Sequence, residues 1–204
     1  MLFEDTYHTI RKPATGLYKD RGSKFIAIAY PVASEDEIKS RLEEARKEYH
    51  DARHHCYAWV IGHDKLAHRY NDDGEPSGTA GRPIFGQIQS KDLTNILVIV
   101  VRYFGGTKLG VPGLIKAYKT ATGEALETAD IMTLTVNDIY ELSFEYPLMN
   151  DVMRVIKDED LKVERQDFRI SCKLSFSVRK NISNRIYERF SKIHGVKITY
   201  LKTV

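Results

Sequence analysis

Cysteine is scarce in this chain of 204 residues: Cys56 and Cys172 are the only two. So widely spaced, they supply neither a disulfide framework nor a Cys-x-x-Cys metal motif, and they read as small buried hydrophobes. Long apolar runs are missing as well. The longest, residues 96–101, is far too short to cross a bilayer, and the start Met1-Leu2-Phe3-Glu4-Asp5 has neither the basic flank nor the apolar core of a secretory signal. A cytoplasmic protein with no membrane partner is expected. No internal repeat or low-complexity tract is present, and a net charge of +3 argues for no partner by itself. Hydrophobic content of 42% and charged content of 29% suit a globular chain able to bury a core in either half.

Glycine, in contrast, is concentrated. Asp72-Asp73-Gly74-Glu75-Pro76-Ser77-Gly78-Thr79-Ala80-Gly81-Arg82-Pro83 forms one rich loop and Arg102-Tyr103-Phe104-Gly105-Gly106-Thr107-Lys108-Leu109-Gly110-Val111-Pro112-Gly113 a second, with the aliphatic run 96–101 before it. That run suits a strand buried on both faces. A glycine-rich turn opening a helix leaves free backbone N–H groups at the positive end of the helix dipole, a setting for phosphate or carboxylate. Arg82, Arg102, Lys108 and Lys116 supply matching charge, so Gly78, Thr79, Gly105, Gly106 and Gly110 become candidate anion-binding positions. Tight turns alone would account for the glycines equally well.

The remaining pattern predicts strands at residues 7–10, 16–19 and 24–30, then a helix opened by the Ser34/Glu37 capping box with Ile38, Leu42, Ala45 and Tyr49 on one face. A hairpin follows, residues 55–61 with 65–70. A short helix is expected over 84–89 after Pro83, and a long one from Pro112 to about 129 with Leu114, Ile115, Tyr118, Ala121, Ala125 and Leu126 inward. Past a linker or edge strand at 133–137 the order becomes strand 139–145, helix 147–157, strand 161–168, strand 170–178, helix 182–194, strand 196–201. This βαββαβ order is the split βαβ, ferredoxin-like arrangement. Ile170, Cys172, Leu174, Phe176 and Val178 alternate with Ser171, Lys173, Ser175 and Ser177, giving one packed and one polar face. The fold class is therefore α+β, with two domains, 1–136 and 137–204.

Charge is uneven in the second domain: residues 138–167 carry four Lys/Arg against nine Asp/Glu, and residues 168–204 nine against one. The basic segment makes Lys173, Arg185, Arg189 and Lys192 candidates for nucleic-acid backbone contacts, against the alternative of a solvated face. The open sheet face lacks the aromatics on which an RNA-recognition sheet stacks bases, which restricts RNA contact there to phosphates.

Chemistry has fewer handles. His54, His55 and Cys56, with His63 and His68 nearby, invite a metal reading, but strand alternation puts His54 and Cys56 on one face and His55 on the other. Asp72, Asp73 and Glu75 could hold Mg²⁺ against a bound phosphate, as a phosphoester hydrolase requires, or could be turn chemistry. Asp73, Glu75 and Ser77 are the catalytic candidates of that alternative. Ser77 lacks a Gly-x-Ser-x-Gly elbow, and neither glycine loop has Walker or Gly-x-Gly-x-x-Gly spacing, so no nucleotide cofactor is expected.

Three ordered motifs, His54-His55-Cys56-Tyr57-Ala58, Asp72 through Gly81 and Val101-Arg102-Tyr103-Phe104-Gly105-Gly106, closely resemble those of the YigZ/IMPACT family. The resemblance covers the N-terminal two-thirds, and the βαββαβ remainder resembles the extra domain of the bacterial members. It implies a first domain like one of a small-subunit ribosomal protein and a second like the last domain of a translocating elongation factor. It further implies a link to translation, since eukaryotic relatives regulate initiation by binding an activator of a starvation-responsive kinase. Where the family loop commonly reads Ile-Lys-Leu-Gly-x-Gly-Gly-Leu, this chain has Thr107 and Pro112, with Lys116 where Arg is usual. Two classes of function stay open: a translation-associated module binding RNA, the ribosome or a translation-regulating protein, and a metal-assisted phosphoester hydrolase.

Overall fold

The computed structural model describes residues 5–168 and 171–204. Ile170 of the expected strand, and the first four residues of the start read for a leader, lie outside them. The fold is α+β, and the chain divides into two compact units, Tyr7–Leu134 and Thr135–Val204, the second taking in Asp5 and Thr6.

The larger unit is built on one antiparallel sheet. Its strands are β2 (Ala14–Asp20), β3 (Ser23–Pro31), β4 (His54–Ile61), β5 (Ala67–Asn71) and β6 (Ile96–Tyr103), in the order β2-β3-β6-β4-β5. The uninterrupted aliphatics of β6 are explained by its central place: residues 96–101 are buried on both faces. One face packs under α1 (Glu35–Glu48), where Ile38, Ala45, Trp59, Leu97, Ile99 and Val101 meet. Ser34 caps that helix, its hydroxyl accepting from the Glu37 N–H at 3.3 Å. The other face carries α2 (Gly81–Ser90) and α3 (Gly110–Glu127) over Phe25, Cys56, Ala58, Val98 and Val100. A short pair, β1 (Thr6–Ile10) with β7 (Ile131–Thr135), completes it, so the expected linker at 133–137 is partly strand. In α3 the buried stripe runs Leu114, Ala117, Tyr118, Ala121, Thr122, Ala125 and Leu126. Ile115, expected inward, lies off that stripe and is exposed.

The smaller unit has strands β8 (Asn137–Phe144), β9 (Lys162–Phe168), β10 (Cys172–Arg179) and β11 (Lys197–Thr203), with α4 (Met149–Asp158) and α5 (Ser183–Ser191). The sheet order β11-β8-β10-β9, antiparallel throughout, is that of the ferredoxin-like fold. Alternation along β10 sends Cys172, Leu174, Phe176 and Val178 into a core with Val152, Ile156, Ile186 and Phe190. Asp5 joins this unit through charge: its carboxylate accepts from Arg179 Nε and Nη2 at 2.6 and 2.9 Å, and its carbonyl from the Val136 N–H at 2.7 Å.

Among the described residues no helix is long and apolar enough to cross a membrane. Expressed alone, residues 7–134 are expected to melt in one cooperative transition followed by circular dichroism. A broad melt without a baseline would show that 1–136 and 137–204 are not independently folding domains.

Candidate functional site

The first glycine loop leaves the end of β5 and enters α2. That helix has no side-chain cap at Ala80. Asp72 serves the helix start and the loop before it: its Oδ1 accepts from Ala80 N at 3.0 Å and Gly81 N at 2.8 Å, and its Oδ2 accepts from Gly78 N in the loop at 2.8 Å. The anion at this helix start is therefore the chain's own carboxylate. Gly81 is required by packing: a Cβ there would stand 2.7 Å from the backbone nitrogen of Asn71. Thr79 turns inward, its hydroxyl donating to Pro76 O at 2.6 Å.

Asp73 and Glu75 face other partners. Asp73 Oδ2 accepts from His55 N at 2.7 Å and Oδ1 from Arg46 at 3.3 Å. Glu75 is buried, and its Oε1 accepts from Arg102 Nη1 at 2.5 Å and from the Tyr118 hydroxyl at 2.8 Å. The three acidic side chains thus diverge, and no group of three His, Cys, Asp or Glu among the described residues could hold a metal ion. Ser77 is exposed with no hydrogen-bond partner among those residues. The Cys56 thiol lies 3.0 Å from Asp72 O and 3.3 Å from the Tyr118 hydroxyl. Burial pushes both the Cys56 thiol and the Tyr118 phenol well above their ordinary values, which keeps them neutral.

Glu75 ties this loop to the second, because Arg102 stands next to last in the central strand, just before it. The Arg102 side chain is 8% exposed, its guanidinium carbon 5.4 Å from the Phe25 ring centre and 5.6 Å from that of Phe104. Its Nε has no partner among the described residues. Past it, Gly105 presses on the β2–β3 turn so closely that a Cβ would stand 1.9 Å from the carbonyl carbon of Gly22, and its N–H donates to Ser23 Oγ at 3.1 Å. Only glycine fits there. The loop's outer surface is a mixture: Phe104 is 54% and Val111 51% exposed, beside exposed Gly106, Lys108, Gly110 and Lys116. Arg82 at the start of α2 is exposed too, and Arg82, Lys108 and Lys116 form no ion pair among the described residues.

The candidates of the smaller unit do not form one surface. Lys173 lies on the open sheet face, lining a shallow cavity of about 900 Å³ with Glu141, Lys162, Glu164, Arg165 and Lys202. It pairs with Glu141 at 3.8 Å, and Lys162 with Glu164 at 3.2 Å. Arg185, Arg189 and Lys192 belong to the α5 side, opposite. Arg185 grips Glu159 through Nη1 at 3.2 Å and Nη2 at 2.7 Å, while Arg189 takes Glu159 and, at 3.1 Å, Asp158. Arg189, with Arg185, holds the Glu159 carboxyl below the usual range. Three cations of the basic segment 168–204, Lys173, Arg185 and Arg189, thus answer carboxylates of the acidic segment 138–167. Lys192 is exposed without a partner among the described residues.

Tyr118, Phe104 and Arg46 were not among the sequence candidates. Tyr118 had a signal, since a hydroxyl within an apolar helical stripe needs a buried partner. Phe104 had none: in an aperiodic loop nothing marks a side chain as outward.

Residues 21–126 match the family described as Impact N-terminal domain. The chain is 35% identical over 158 residues to the IMPACT family member YigZ of Escherichia coli strain K12, covering 76% of this chain and 78% of that one. It is 27% identical over 204 residues to the IMPACT family member YvyE of Bacillus subtilis strain 168, covering 97% and 94%. A solved structure, the crystal structure of a hypothetical protein, has a TM-score of 0.75 at 28% identity and covers 97% of this chain and 98% of its own.

Two outcomes are expected from the loop chemistry. Asp72→Ala removes the partner of three N–H groups and is expected to cost about 2 kcal/mol in urea denaturation, the upper end for a helix cap; an unchanged midpoint would show the cap to be dispensable. His55 is buried against Tyr49 O at 3.2 Å, and burial lowers its pKa below the ordinary 6.5, Asp73 opposing. The unfolded chain then binds this proton more readily, so the stability it confers is present above pH 6.5 and lost as pH falls below that value. His55→Gln is expected to flatten the stability slope in that window, and an unaltered slope would exclude His55 as its source.

Proposed function

The chain belongs to the IMPACT family, and from that premise we propose that it is a non-enzymatic, translation-associated regulator that works in the cytoplasm by binding RNA, the ribosome or a translation-related protein. The observation that carries this reading is the commitment of all three carboxylates in the first loop to the fold itself. Asp72 is held by three backbone N–H groups, Glu75 by Arg102 and Tyr118, and Asp73 by His55 N and Arg46. A hydrolase built on these carboxylates would have to undo the contacts that shape the loop. What the arrangement leaves to solvent is glycine backbone, apolar side chains and cations without ion pairs among the described residues, the components of a docking surface for an anionic partner. The translational role is what membership implies by resemblance to eukaryotic relatives.

Co-sedimentation with ribosomes across a salt series tests the reading. Replacing Arg82, Lys108 and Lys116 by Ala is expected to weaken association and flatten its salt dependence, because fewer counterions are released. Replacing Arg185 and Arg189 should instead destabilise the unit that holds Glu159. Absence of co-sedimentation at low salt, together with phosphoester turnover that a chelator stops and Asp73→Ala abolishes, would favour the hydrolase.

A further inference from the structure

We propose that the unpartnered Nε edge of the Arg102 guanidinium, beside the second glycine loop, is the seat for a phosphate group carried on a nucleotide chain. The carrier rests on the binding reading above; the phosphate seat rests on geometry alone. An arginine whose task is only to neutralise a buried carboxylate ordinarily meets it with two parallel N–H groups. Arg102 gives Glu75 one, from Nη1, and the second donor to the same oxygen is the Tyr118 hydroxyl. Tyr118 thereby does for Glu75 what the rest of the guanidinium would have done. The phenyl rings of Phe25 and Phe104 lie over the group, and the edge that the protein leaves unanswered is the one that carries Nε, a buried donor without a partner among the described residues. Buried donors are rarely left so without a functional reason.

Charge and shape favour phosphate as the ligand. Glu75 already balances Arg102, so an arriving anion needs a further cation, and Lys108 stands exposed and unpaired in the same loop. The helix that follows has no side-chain cap at Leu109, leaving backbone N–H groups at its start. A phosphate has enough oxygens to be shared among a guanidinium edge, an ammonium and such N–H groups. Phe104 adds the reason for a nucleotide: it lies against Arg102 yet remains half exposed, and a base can stack on it.

The test follows the arginine Nε–H signals of the full-length protein by ¹⁵N-resolved NMR while inorganic phosphate replaces chloride at constant ionic strength. One signal, missing in Arg102→Lys, is expected to move saturably with phosphate, and Lys108→Ala should raise the concentration needed. A uridine hexanucleotide is expected to displace phosphate, and Phe104→Ala to weaken the hexanucleotide about tenfold while leaving free phosphate binding in place. Should Arg102→Lys fail to fold, the exposed Lys108 and Phe104 variants carry the test. A signal unmoved by phosphate, or moved equally by chloride, overturns the seat, and a hexanucleotide that does not displace phosphate overturns the carrier. Ribosome association that survives in Arg102→Lys would leave the binding reading standing without this site. Saturable phosphate binding in a protein that never co-sediments with ribosomes would leave the seat standing without that reading.

Discussion

A carboxylate cannot sit between a sheet and a helix unless donors come to it, and Glu75 is the place where this constraint organises the larger unit. Its oxygen draws Arg102 from the end of the central strand and Tyr118 from the third turn of α3, so three segments distant in sequence are held at one atom. Removing one member of such a buried pair typically costs about 3–5 kcal/mol, because the other charge is left without compensation. The position of the turn that contains Glu75 then places Asp72 at the start of α2, and the exit of Arg102 places Gly105 against Gly22. Both loops inherit their shape from a contact that neither displays at its surface.

The architecture was legible where periodicity is strong and tertiary context adds little. The alternation of Cys172, Leu174, Phe176 and Val178, and the spacing of Ile186 and Phe190, lead to the ferredoxin-like order directly. Ile115 shows the limit of that approach: in a helix covered on one side only, an isoleucine one position off the stripe looks like core until the neighbouring elements are in place. Asp5 shows another, since nothing in the local pattern near the start of the chain points to Arg179, which lies 174 positions away.

The polar groups were visible as types, not as pairings. A run of Asp, Asp, Gly and Glu is compatible with turn chemistry or with metal ligation, and only the directions of the side chains separate the two. Likewise an acidic stretch followed by a basic one reads as an outward-facing cationic surface until Arg185 and Arg189 are seen closing on Glu159. Sequence gives the sum of charges in a segment, whereas the field at a surface depends on how many of them are already answered from within. Tyr118 belongs to the same lesson from the opposite side, a residue whose apolar ring satisfied the helical period and whose hydroxyl carried the more informative contact.

The order of strands in the larger sheet bears on how the chain is made. Strands β2 through β5 all precede β6 in sequence, yet β3 and β4 are joined only through it. During synthesis from the N-terminus, β2 with β3 and β4 with β5 form two hairpins, each with an inner edge that only β6 satisfies, and these wait until residue 103 has left the exit tunnel. Until then β3 and β4 are exposed templates for pairing with other chains. The strand held back longest in the sheet is an uninterrupted apolar run, so closure of the sheet is a late event, and one face of the adhesive strand stays uncovered until α3 has followed it.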